Sequence, residues 1–256
     1  MIRLGIDLGS RKAKFAAVEH DRLLWLRDWD TIAFYKRYGH LRDGELNIDF
    51  AALGLFPASV TPELVVTGYG RNTLNLAGAR VVPEIQAHVR GALWQTGLST
   101  FTLLDLGGQD SKVARVENGR LTDFVMNDKC AASSGRYLEN MAQVMEVSLE
   151  ELARHHVDPV PLDATCGIFG ESELIGKIIE GHSIARLCAG INFTLIKRVE
   201  PMLRRFPEDQ LVLTGGVARN QAFLTLLGQI TSADILVPKE PQHNGAIGCA
   251  LLAGSR

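Results

Sequence analysis

Two stretches of this chain repeat each other, and this repeat constrains the fold more than any other feature. Residues 6–23 read IDLGSRKAKFAAVEHDRL and residues 104–121 read LDLGGQDSKVARVENGRL, aligned without gaps. The identical pairs are Asp7/Asp105, Leu8/Leu106, Gly9/Gly107, Lys14/Lys112, Ala16/Ala114, Val18/Val116, Glu19/Glu117, Arg22/Arg120 and Leu23/Leu121. Each copy predicts an apolar strand ending near an Asp, a glycine turn, an alternating strand, a polar turn and a third strand. The chain is therefore expected to have two similar halves, each beginning with an Asp-Gly β-hairpin.

The glycine turn of each copy is suited to binding a polyphosphate. Glycine lets the backbone approach an oxyanion closely and direct N–H donors towards it. The preceding aspartate, Asp7 or Asp105, is placed at a strand end to hold Mg²⁺ directly or through water. Two such turns facing across a cleft could grip a polyphosphate from both sides. A third turn, Gly215-Gly216-Val217, follows an apolar strand and permits close approach of a flat group such as adenine.

Simpler interpretations of the repeated residues remain open at this point. Asp7 and Asp105 could be ordinary turn residues, although their repetition argues against this. Lys14 and Lys112 are interpreted as solvated strand residues more readily than as functional groups. Glu84 and His88 share a helix face at i and i+4, which favours a salt-bridged pair over a role in sensing nucleotide.

Cys130 and Cys166 each precede a helical pattern. A cysteine at or just before a helix N-terminus is stabilised as the thiolate, because the first amides of a helix have no partner within it. Two such thiolates can ligate a metal or cluster, but they are half of a Cys₄ set. A symmetric dimer would supply the other half. The alternatives are zinc, which also takes four cysteines, and two ordinary buried cysteines.

The composition excludes several classes of function. The chain has 256 residues, 46% hydrophobic and 22% charged, as in ordinary globular proteins. A net charge of −2 argues against bulk electrostatic binding to nucleic acid or to an anionic membrane. Its first residues, MIRLGIDLGS, lack the order of charged, apolar and small residues of a signal peptide, so a cytoplasmic location is expected. Four cysteines in such a chain indicate reduced thiols or ligands, and Cys188 and Cys249, in apolar periodic segments, are interpreted as core residues.

The three glycine turns resemble the two phosphate motifs and the adenosine motif of the actin, Hsp70 and sugar-kinase ATPase superfamily. These motifs are Asp7–Ser10, Asp105–Gly108 and Thr214–Gly216. The resemblance implies an α/β, ribonuclease H-like, two-domain ATPase with duplicated halves. We expect domain I to comprise residues 1–97 and 240–256, and domain II, which carries both candidate ligand cysteines, to comprise residues 98–239.

A narrower resemblance rests on five further segments. They are Thr67–Asn72 (TGYGRN), Asp105–Val113 (DLGGQDSKV), Asn127–Glu139 (NDKCAASSGRYLE), Phe169–Glu173 (FGESE) and Thr214–Ala218 (TGGVA). They look like the ATPase activators, or component A, of 2-hydroxyacyl-CoA dehydratases in the BadF/BadG/BcrA/BcrD-type family. The ATPase subunits of benzoyl-CoA reductase and the reductases of double-cubane cluster proteins are also similar. The resemblance implies a homodimer with one [4Fe–4S] cluster on its two-fold axis, in which ATP hydrolysis drives a low-potential electron to a partner iron–sulfur dehydratase or reductase.

This resemblance also implies the roles of individual residues. Asp105 and Gln109 are the candidate catalytic residues, and Asp105 or Gln109 would orient the attacking water. The candidate residues for binding ATP, ADP and Mg²⁺ are Asp7, Gly9, Ser10, Arg11, Lys12, Ala13, Lys14, Gly107, Gly108, Gly215, Gly216, Val217 and Gln242. Cys130 and Cys166 would be the cluster ligands. The expected partners are a second copy of the chain, the dehydratase or reductase, and a ferredoxin or flavodoxin as electron donor, with neither nucleic acid nor membrane.

Four segments depart from the family pattern. Arg11-Lys12-Ala13-Lys14 stands where Thr-Ala-Ser-Lys is usual, which removes the Thr and Ser hydroxyls and adds two cations beside the expected phosphates. Ser133-Ser134 replaces Gly-Thr, Tyr137 replaces Phe, and Gly170 replaces Ala. The last three lie near the expected cluster, so the electron acceptor stays open among dehydratases, aromatic-CoA reductases and double-cubane proteins.

Two other classes of function use some of the same features. A small-molecule kinase of this superfamily would explain the three turns, but it needs an acceptor pocket and leaves Cys130 and Cys166 without a role. A zinc-bridged, nucleotide-regulated scaffold would explain the cysteines without redox chemistry.

Overall fold

The computed structural model describes residues 1–42, 45–48, 52–57, 59–68, 79–127, 133–163, 167–207 and 209–253. The chain divides into two compact units. Unit 1 comprises Met1–Leu98 and Gln242–Arg256, and unit 2 comprises Ser99–Pro241.

Unit 1 is built on a five-stranded sheet with helices from both ends of the chain. Its elements are β1 (Ile2–Leu8), β2 (Lys12–Glu19), β3 (Arg22–Asp30), α1 (Thr31–Tyr38), β4 (Gly39–Arg42), β5 (Glu45–Ile48), β6 (Glu63–Thr67), β7 (Ala79–Val81), α2 (Glu84–Thr96) and α8 (Asn244–Leu252). The sheet order is β3-β2-β1-β6-β7, and β4 and β5 form a separate two-stranded sheet. β1, β2 and β3 are antiparallel, whereas β6 and β7 run parallel to β1.

Unit 2 repeats this sheet. Its elements are β8 (Phe101–Leu106), β9 (Ser111–Glu117), β10 (Arg120–Asn127), α3 (Gly135–Val144), α4 (Leu149–Leu152), α5 (Gly167–Ile179), α6 (Ile184–Leu203), β11 (Gln210–Gly215), α7 (Gln221–Ile230) and β12 (Asp234–Leu236). The order β10-β9-β8-β11-β12 has the same strand directions as in unit 1.

The register of the two sheets shows that the halves are equivalent in detail. Asp7 lies opposite Lys14 on β2, and Asp105 lies opposite Lys112 on β9. The polar turns also match, because His20-Asp21 and Asn118-Gly119 both adopt positive φ angles. The predicted α/β fold with duplicated halves is therefore confirmed.

Each unit has its own apolar core. In unit 1 the aromatic rings of Phe15, Phe34 and Trp29 pack together beneath the sheet. In unit 2 the core lies between the sheet and helices α3, α6 and α7, and Cys188 is buried there as predicted. Cys249 is buried on α8 in unit 1. Among the described residues, no helix combines the length and the apolar character that crossing a bilayer requires.

Helix α5 leaves part of its apolar face exposed. Leu174 is buried, but Ile175, Ile178 and Ile179 are 49%, 38% and 82% exposed. The apolar spacing therefore predicted the helix correctly, and the structure leaves these three isoleucines exposed. Helical periodicity identifies which residues share a face, but it does not identify what covers that face.

Candidate nucleotide site

The first glycine turn, between β1 and β2, is closed by its own backbone. The Gly9 amide donates to the Lys12 carbonyl at 3.1 Å. Thr31, at the start of α1, holds the turn from outside: its hydroxyl donates to the Gly9 carbonyl at 2.8 Å and its amide to the Arg11 carbonyl at 3.0 Å. The structure thus brings six predicted residues, Gly9–Lys14, into one turn whose shape is set by α1.

Asp7 lies at the base of this turn and is 2% exposed. Its Oδ2 is 3.4 Å from Lys14 Nζ. A buried carboxylate needs a counter-charge or hydrogen bonds, and Lys14 supplies a charge. Lys14 is a half-buried residue whose side chain is 20% exposed, so its interpretation as a solvated strand residue was wrong.

Lys12 is engaged by the neighbouring strand. Its Nζ lies 2.5 Å from Asp28 Oδ1 on β3, and His243 Nε2 lies 3.5 Å from Asp28 Oδ2. Burial acts to raise the pKa of Asp28, but the hydrogen bond and charge of Lys12 outweigh it and lower that pKa below its ordinary value. Of the two cations that the sequence adds to this turn, Lys12 is therefore paired with Asp28, while the Arg11 residue is exposed.

The second glycine turn, between β8 and β9, closes in the same way. The Gly107 amide donates to the Asp110 carbonyl at 3.0 Å, as Gly9 does to Lys12. Asp105 at its base is 1% exposed and accepts a hydrogen bond from the Thr214 hydroxyl at 2.7 Å. Gln109 is exposed at the tip of the turn. The turn therefore places one buried carboxylate and one exposed amide side chain on the same short segment.

Lys112 is the charged residue that differs most from its sequence interpretation. It is 2% exposed, so its interpretation as a solvated residue was wrong. Its Nζ lies 2.5 Å from Asp110 Oδ2 and 3.9 Å from Asp105 Oδ2. The ammonium group thus lies between the carboxylate at the base of the turn and the carboxylate that closes it.

We expect Lys112→Met to lower the free energy of unfolding by about 3–5 kcal/mol, because it leaves buried carboxylates without their cation. Urea unfolding of the purified chain measures this change. Arg115→Met on the same strand is the control. Arg115 pairs with Glu117 at 2.8 Å, but both side chains are exposed, so a loss below about 1 kcal/mol is expected. Equal losses in the two variants would show that the ion pairs of Lys112 with Asp105 and Asp110 contribute no more to stability than the exposed pair of Arg115 and Glu117.

The second turn is bonded directly to the start of α3. The Gly135 amide donates to the Gly107 carbonyl and the Arg136 amide donates to the Gly108 carbonyl, both at 2.9 Å. The Ser134 hydroxyl also donates to the Gly108 carbonyl, at 3.2 Å. The first amides of α3 are therefore occupied by the candidate phosphate turn.

The predicted position of Cys130 at or just before a helix N-terminus stays a prediction, because Cys130 lies outside the described residues. Helix α3 begins at Gly135, five residues after Cys130, and its first two amides donate to turn carbonyls. Cys130 and Cys166 lie outside the described residues, and α5 begins at Gly167, directly after Cys166 in the sequence. Among the described residues, no group of three or more His, Cys, Asp or Glu side chains is arranged to hold a metal ion.

The residues that flank the segment 128–132 are also bonded to one another. Asn127 Nδ2 donates to Ser133 Oγ at 2.7 Å, and the Ser111 hydroxyl donates to the Ser133 carbonyl. Ser133 is one of the residues that depart from the family pattern. Its hydroxyl fixes the distance between the end of β10 and the approach to α3.

The candidate adenosine turn follows β11. Gly215 has φ +88°, and a Cβ atom there would lie 2.2 Å from the Leu106 carbonyl oxygen, so glycine is required. Gly216 and Val217 form a short 3₁₀ turn, and Asn220 caps α7 by accepting from the Phe223 amide at 2.9 Å.

Gln242, the remaining predicted nucleotide residue, lies in unit 1. It is in a 3₁₀ turn, Pro241–His243, immediately before α8, and is partly exposed. Unit 1 therefore holds Asp7, Gly9–Lys14 and Gln242, and unit 2 holds the remaining described candidates. Of the TGYGRN segment, Tyr69–Asn72 lie outside the described residues.

Two threonines, Thr67 and Thr214, were quoted in the sequence motifs but were given no role of their own. Thr67 pairs with Asp7 across β1 and β6, and Thr214 pairs with Asp105 across β8 and β11. Both are fully buried and both precede a glycine of positive φ, Gly68 or Gly215. The repeated Thr-Gly dipeptide after the fourth strand of each sheet was the available signal.

Comparison with known proteins supports the resemblance. The model of the BadF/BadG/BcrA/BcrD ATPase family matches residues 4–253. The 2-hydroxyisocaproyl-CoA dehydratase activator of Clostridioides difficile is 40% identical over 197 residues, which cover 75% of this chain and 73% of the activator. The activator of lactoyl-CoA dehydratase of Anaerotignum propionicum is 33% identical over 99% of this chain and 97% of its own.

A solved structure agrees over the whole chain. The activator of the 2-hydroxyisocaproyl-CoA dehydratase from Clostridium difficile with bound ADPNP has a TM-score of 0.84 and 32% identity, covering 99% of this chain and 94% of that chain. The predicted resemblance to dehydratase activators is therefore confirmed.

Proposed function

Because the chain belongs to the BadF/BadG/BcrA/BcrD ATPase family, we propose that it hydrolyses ATP and uses the hydrolysis to drive a low-potential electron to a partner iron–sulfur protein. The observation that carries this proposal is the direct bonding of the Gly107–Gly108 turn to the start of α3. The Gly107–Gly108 turn would then be linked both to the bound phosphate and, through α3, to the segment that carries Cys130.

The phosphate-binding role is assigned to the two glycine turns. Gly9 and Gly107 let the backbone approach an oxyanion, while the turn-closing hydrogen bonds keep each turn in one shape. Lys14 adds a cation beside Asp7. Gly215, Gly216 and Val217 are assigned to the adenosine, and Gln242 of unit 1 stays a proposed nucleotide-binding residue. The relative with bound ADPNP supports nucleotide binding by this fold.

Hydrolysis is assigned to Asp105 and Gln109. Asp105 is fixed by the Thr214 hydroxyl, so its carboxylate holds one orientation. Gln109 is exposed at the turn and can orient a water for in-line attack, as water-positioning side chains do in other phosphoryl-transfer enzymes. Both residues accept or direct hydrogen bonds and neither forms a covalent intermediate.

The donor set suits Mg²⁺. This ion keeps several waters and is held by one or two carboxylates together with substrate phosphates. Asp7 and Asp105 provide buried oxygen donors of this kind. Asp7 and Asp105 would hold Mg²⁺, and the bound ion would supply positive charge to offset the negative charge that develops on the phosphate.

The cysteines suit an iron–sulfur cluster in chemical type. Cys130 and Cys166 give two thiolates per chain, and a homodimer doubles this to the four that a [4Fe–4S] cluster needs. Such a cluster supplies one electron at low potential. α5 starts directly after Cys166, so its N-terminal dipole favours negative charge near that sulfur.

Coupling follows from the bonds between the turn and α3. A phosphate that moves Gly107 and Gly108 also moves the carbonyls that accept from Gly135 and Arg136. A change of ~59 mV in a one-electron potential corresponds to about 1.4 kcal/mol, so ~200 mV needs roughly 5 kcal/mol of differential binding. Two nucleotide sites in a homodimer can supply this amount.

The electron acceptor is proposed to be a 2-hydroxyacyl-CoA dehydratase or a double-cubane type of protein, and the donor a ferredoxin or flavodoxin. Relatives of this chain are named as activators of 2-hydroxyisocaproyl-CoA and lactoyl-CoA dehydratases. The departures at Ser133, Ser134, Tyr137 and Gly170 leave the choice of acceptor to experiment.

Anaerobic purification tests the proposal against its alternatives. We expect a brown homodimer with about two irons per chain that hydrolyses ATP. A colourless zinc protein would indicate the scaffold. A protein with neither metal that phosphorylates a small molecule would indicate a kinase.

We expect iron loss to a chelator to depend on the bound nucleotide, because the Gly107–Gly108 turn is bonded to α3 and Cys130 lies five residues before α3 in the sequence. The rate should be higher with a non-hydrolysable ATP analogue than with ADP, if closure exposes the cluster at the dimer axis. By reciprocity, cluster reduction should change the ratio of ATP and ADP affinities by the factor by which nucleotide changes the reduction equilibrium. Iron release is followed under nitrogen without nucleotide, with ADP and with the analogue. Identical rates and an unchanged midpoint potential would refute the coupling.

A further inference from the structure

Three elements of unit 1 converge beside Asp7: the end of β1, the middle of α2 and the first turn of α8. The point where they meet is Gly245. A Cβ atom at this position would lie 2.9 Å from His88 Nε2 and 3.0 Å from Asp7 Oδ2. The absence of a side chain at residue 245 is therefore what allows the imidazole and the carboxylate to face the same point.

The surroundings of this point are buried and charged. His88 is 5% exposed, and its Nε2 lies 3.8 Å from Glu84 Oε1, one turn earlier on α2. Cys249 lies close enough to the carboxylates of Asp7 and Glu84 for both charges to affect its pKa. Its pKa is raised well above the ordinary value mainly by burial and further by the charges of Asp7 and Glu84. Asp7, His88 and Glu84 thus form one line of polar groups along α8.

The backbone of His88 is tied to the start of α8. Asn244 Nδ2 donates to the His88 carbonyl at 2.8 Å, and Gln95 Nε2 donates to Asn244 Oδ1 at 2.9 Å. These bonds join α2 to the N-terminus of α8, so neither helix can shift without the other. The backbone carbonyl of His88 is thus hydrogen-bonded to Asn244, and the carboxylate of Glu84 lies near its ring.

We propose that His88 is a positioning residue for Asp7, which Lys14 contacts at 3.4 Å and His88 faces across Gly245. The inference rests on the proposed function, in which Asp7 organises Mg²⁺ and phosphate. A carboxylate held between two fixed groups keeps the orientation that metal binding needs, and small displacements of such groups are costly. Glu84 orients the imidazole and completes the arrangement.

The test separates positioning from simple packing through the effect of Mg²⁺ on ADP affinity, measured by calorimetry with the homodimeric protein. For His88→Ala we expect the gain in ADP affinity that Mg²⁺ produces to fall roughly tenfold, while ADP affinity without Mg²⁺ changes by less than about twofold. His88→Gln should recover part of the gain, because its amide can still hydrogen-bond. In Gly245→Ala the added methyl group should press on both His88 and Asp7, so the gain in ADP affinity from Mg²⁺ should be lost.

His155→Ala is the matched control. His155 Nε2 lies 2.7 Å from Glu151 Oε1 at the same i, i+4 spacing, but in unit 2. We expect it to retain the full effect of Mg²⁺. If folded His88→Gln and Gly245→Ala proteins both show the wild-type gain, the positioning role is wrong. A wild-type protein that does not bind ADP at any Mg²⁺ concentration overturns the proposed function itself, and the inference with it.

Discussion

Asp105→Asn is expected to lower ATP turnover by roughly 100-fold or more, while the protein stays folded and keeps its iron. Asparagine has the same shape, so Thr214 can still donate to its side-chain oxygen as it does to Asp105 Oδ1 at 2.7 Å. Lys112 keeps Asp110 as a partner at 2.5 Å. The change therefore removes the negative charge that is proposed to organise Mg²⁺ and water, and it leaves the packing in place. Steady-state phosphate release measures the loss.

Asp123→Asn is the control for this experiment, because Asp123 is an exposed aspartate of the same unit, on β10. Its turnover should equal that of the wild type. Thr214→Val tests the support of the carboxylate and should give a smaller loss than Asp105→Asn. Turnover near wild type in Asp105→Asn would mean that Asp105 is a turn residue and that the hydrolytic mechanism is wrong.

The strands and turns of both halves were predictable because their signals are local. Alternation of apolar residues along β2 and β9 and the paired turns His20-Asp21 and Asn118-Gly119 specify hairpins within about 20 residues. Once the repeat of residues 6–23 and 104–121 is recognised, strands and turns predicted for one copy can be checked against the other copy. Helix α2 also matched its prediction, since its start after Pro83 and its end before Gly97 follow local capping rules.

The electrostatics of the turns could not be predicted, because they depend on register between distant strands. Lys112 reaches Asp110 only because Gly107 closes the turn onto the Asp110 carbonyl. Lys12 meets Asp28 because β2 and β3 pair in a particular register. A sequence indicates that a lysine alternates with apolar residues, but it does not indicate which carboxylate lies across the sheet.

The start of α3 depends on contacts that local sequence patterns do not contain. The pattern of Tyr137, Leu138 and Met141 gives the helix face correctly, and all three are buried. The residues before Gly135 have no periodicity, and the helix start is decided by bonds to Gly107 and Gly108, some 27 residues earlier. Helix boundaries that depend on tertiary hydrogen bonds are invisible to local rules. The contact between Gly245, Asp7 and His88 was missed for the same reason.

The exposed isoleucines of α5 bear on the assembly that the cysteines require. Cys166 directly precedes this helix, and Ile175, Ile178 and Ile179 follow on it. The homodimer was inferred from the count of thiolates and from the family resemblance. In a homodimer that shares one cluster, the ligand count predicts that substituting one cysteine removes a ligand from both copies of the chain.

Cys130→Ser and Cys166→Ser are each expected to reduce iron from about two atoms per chain to none, and to weaken the homodimer. In the proposed dimer, each single substitution removes two of the four thiolates, because both copies carry it. Serine is close in size but its hydroxyl does not replace the thiolate as a ligand. Iron is measured colorimetrically after anaerobic purification, and the dimer by sedimentation.

The two other cysteines provide the control for this last experiment. Burial, with a smaller contribution from the charge of Glu151, raises the pKa of the Cys188 thiol to about 11. Burial also raises the pKa of Cys249 well above its ordinary value. Neither thiol ionises at neutral pH, and a cluster ligand must be a thiolate. Cys188→Ala and Cys249→Ala should therefore keep their iron and their dimer, even where the lost packing lowers stability. A Cys130→Ser or Cys166→Ser protein that retains full iron in a stable dimer would remove the bridging cluster from the proposed function.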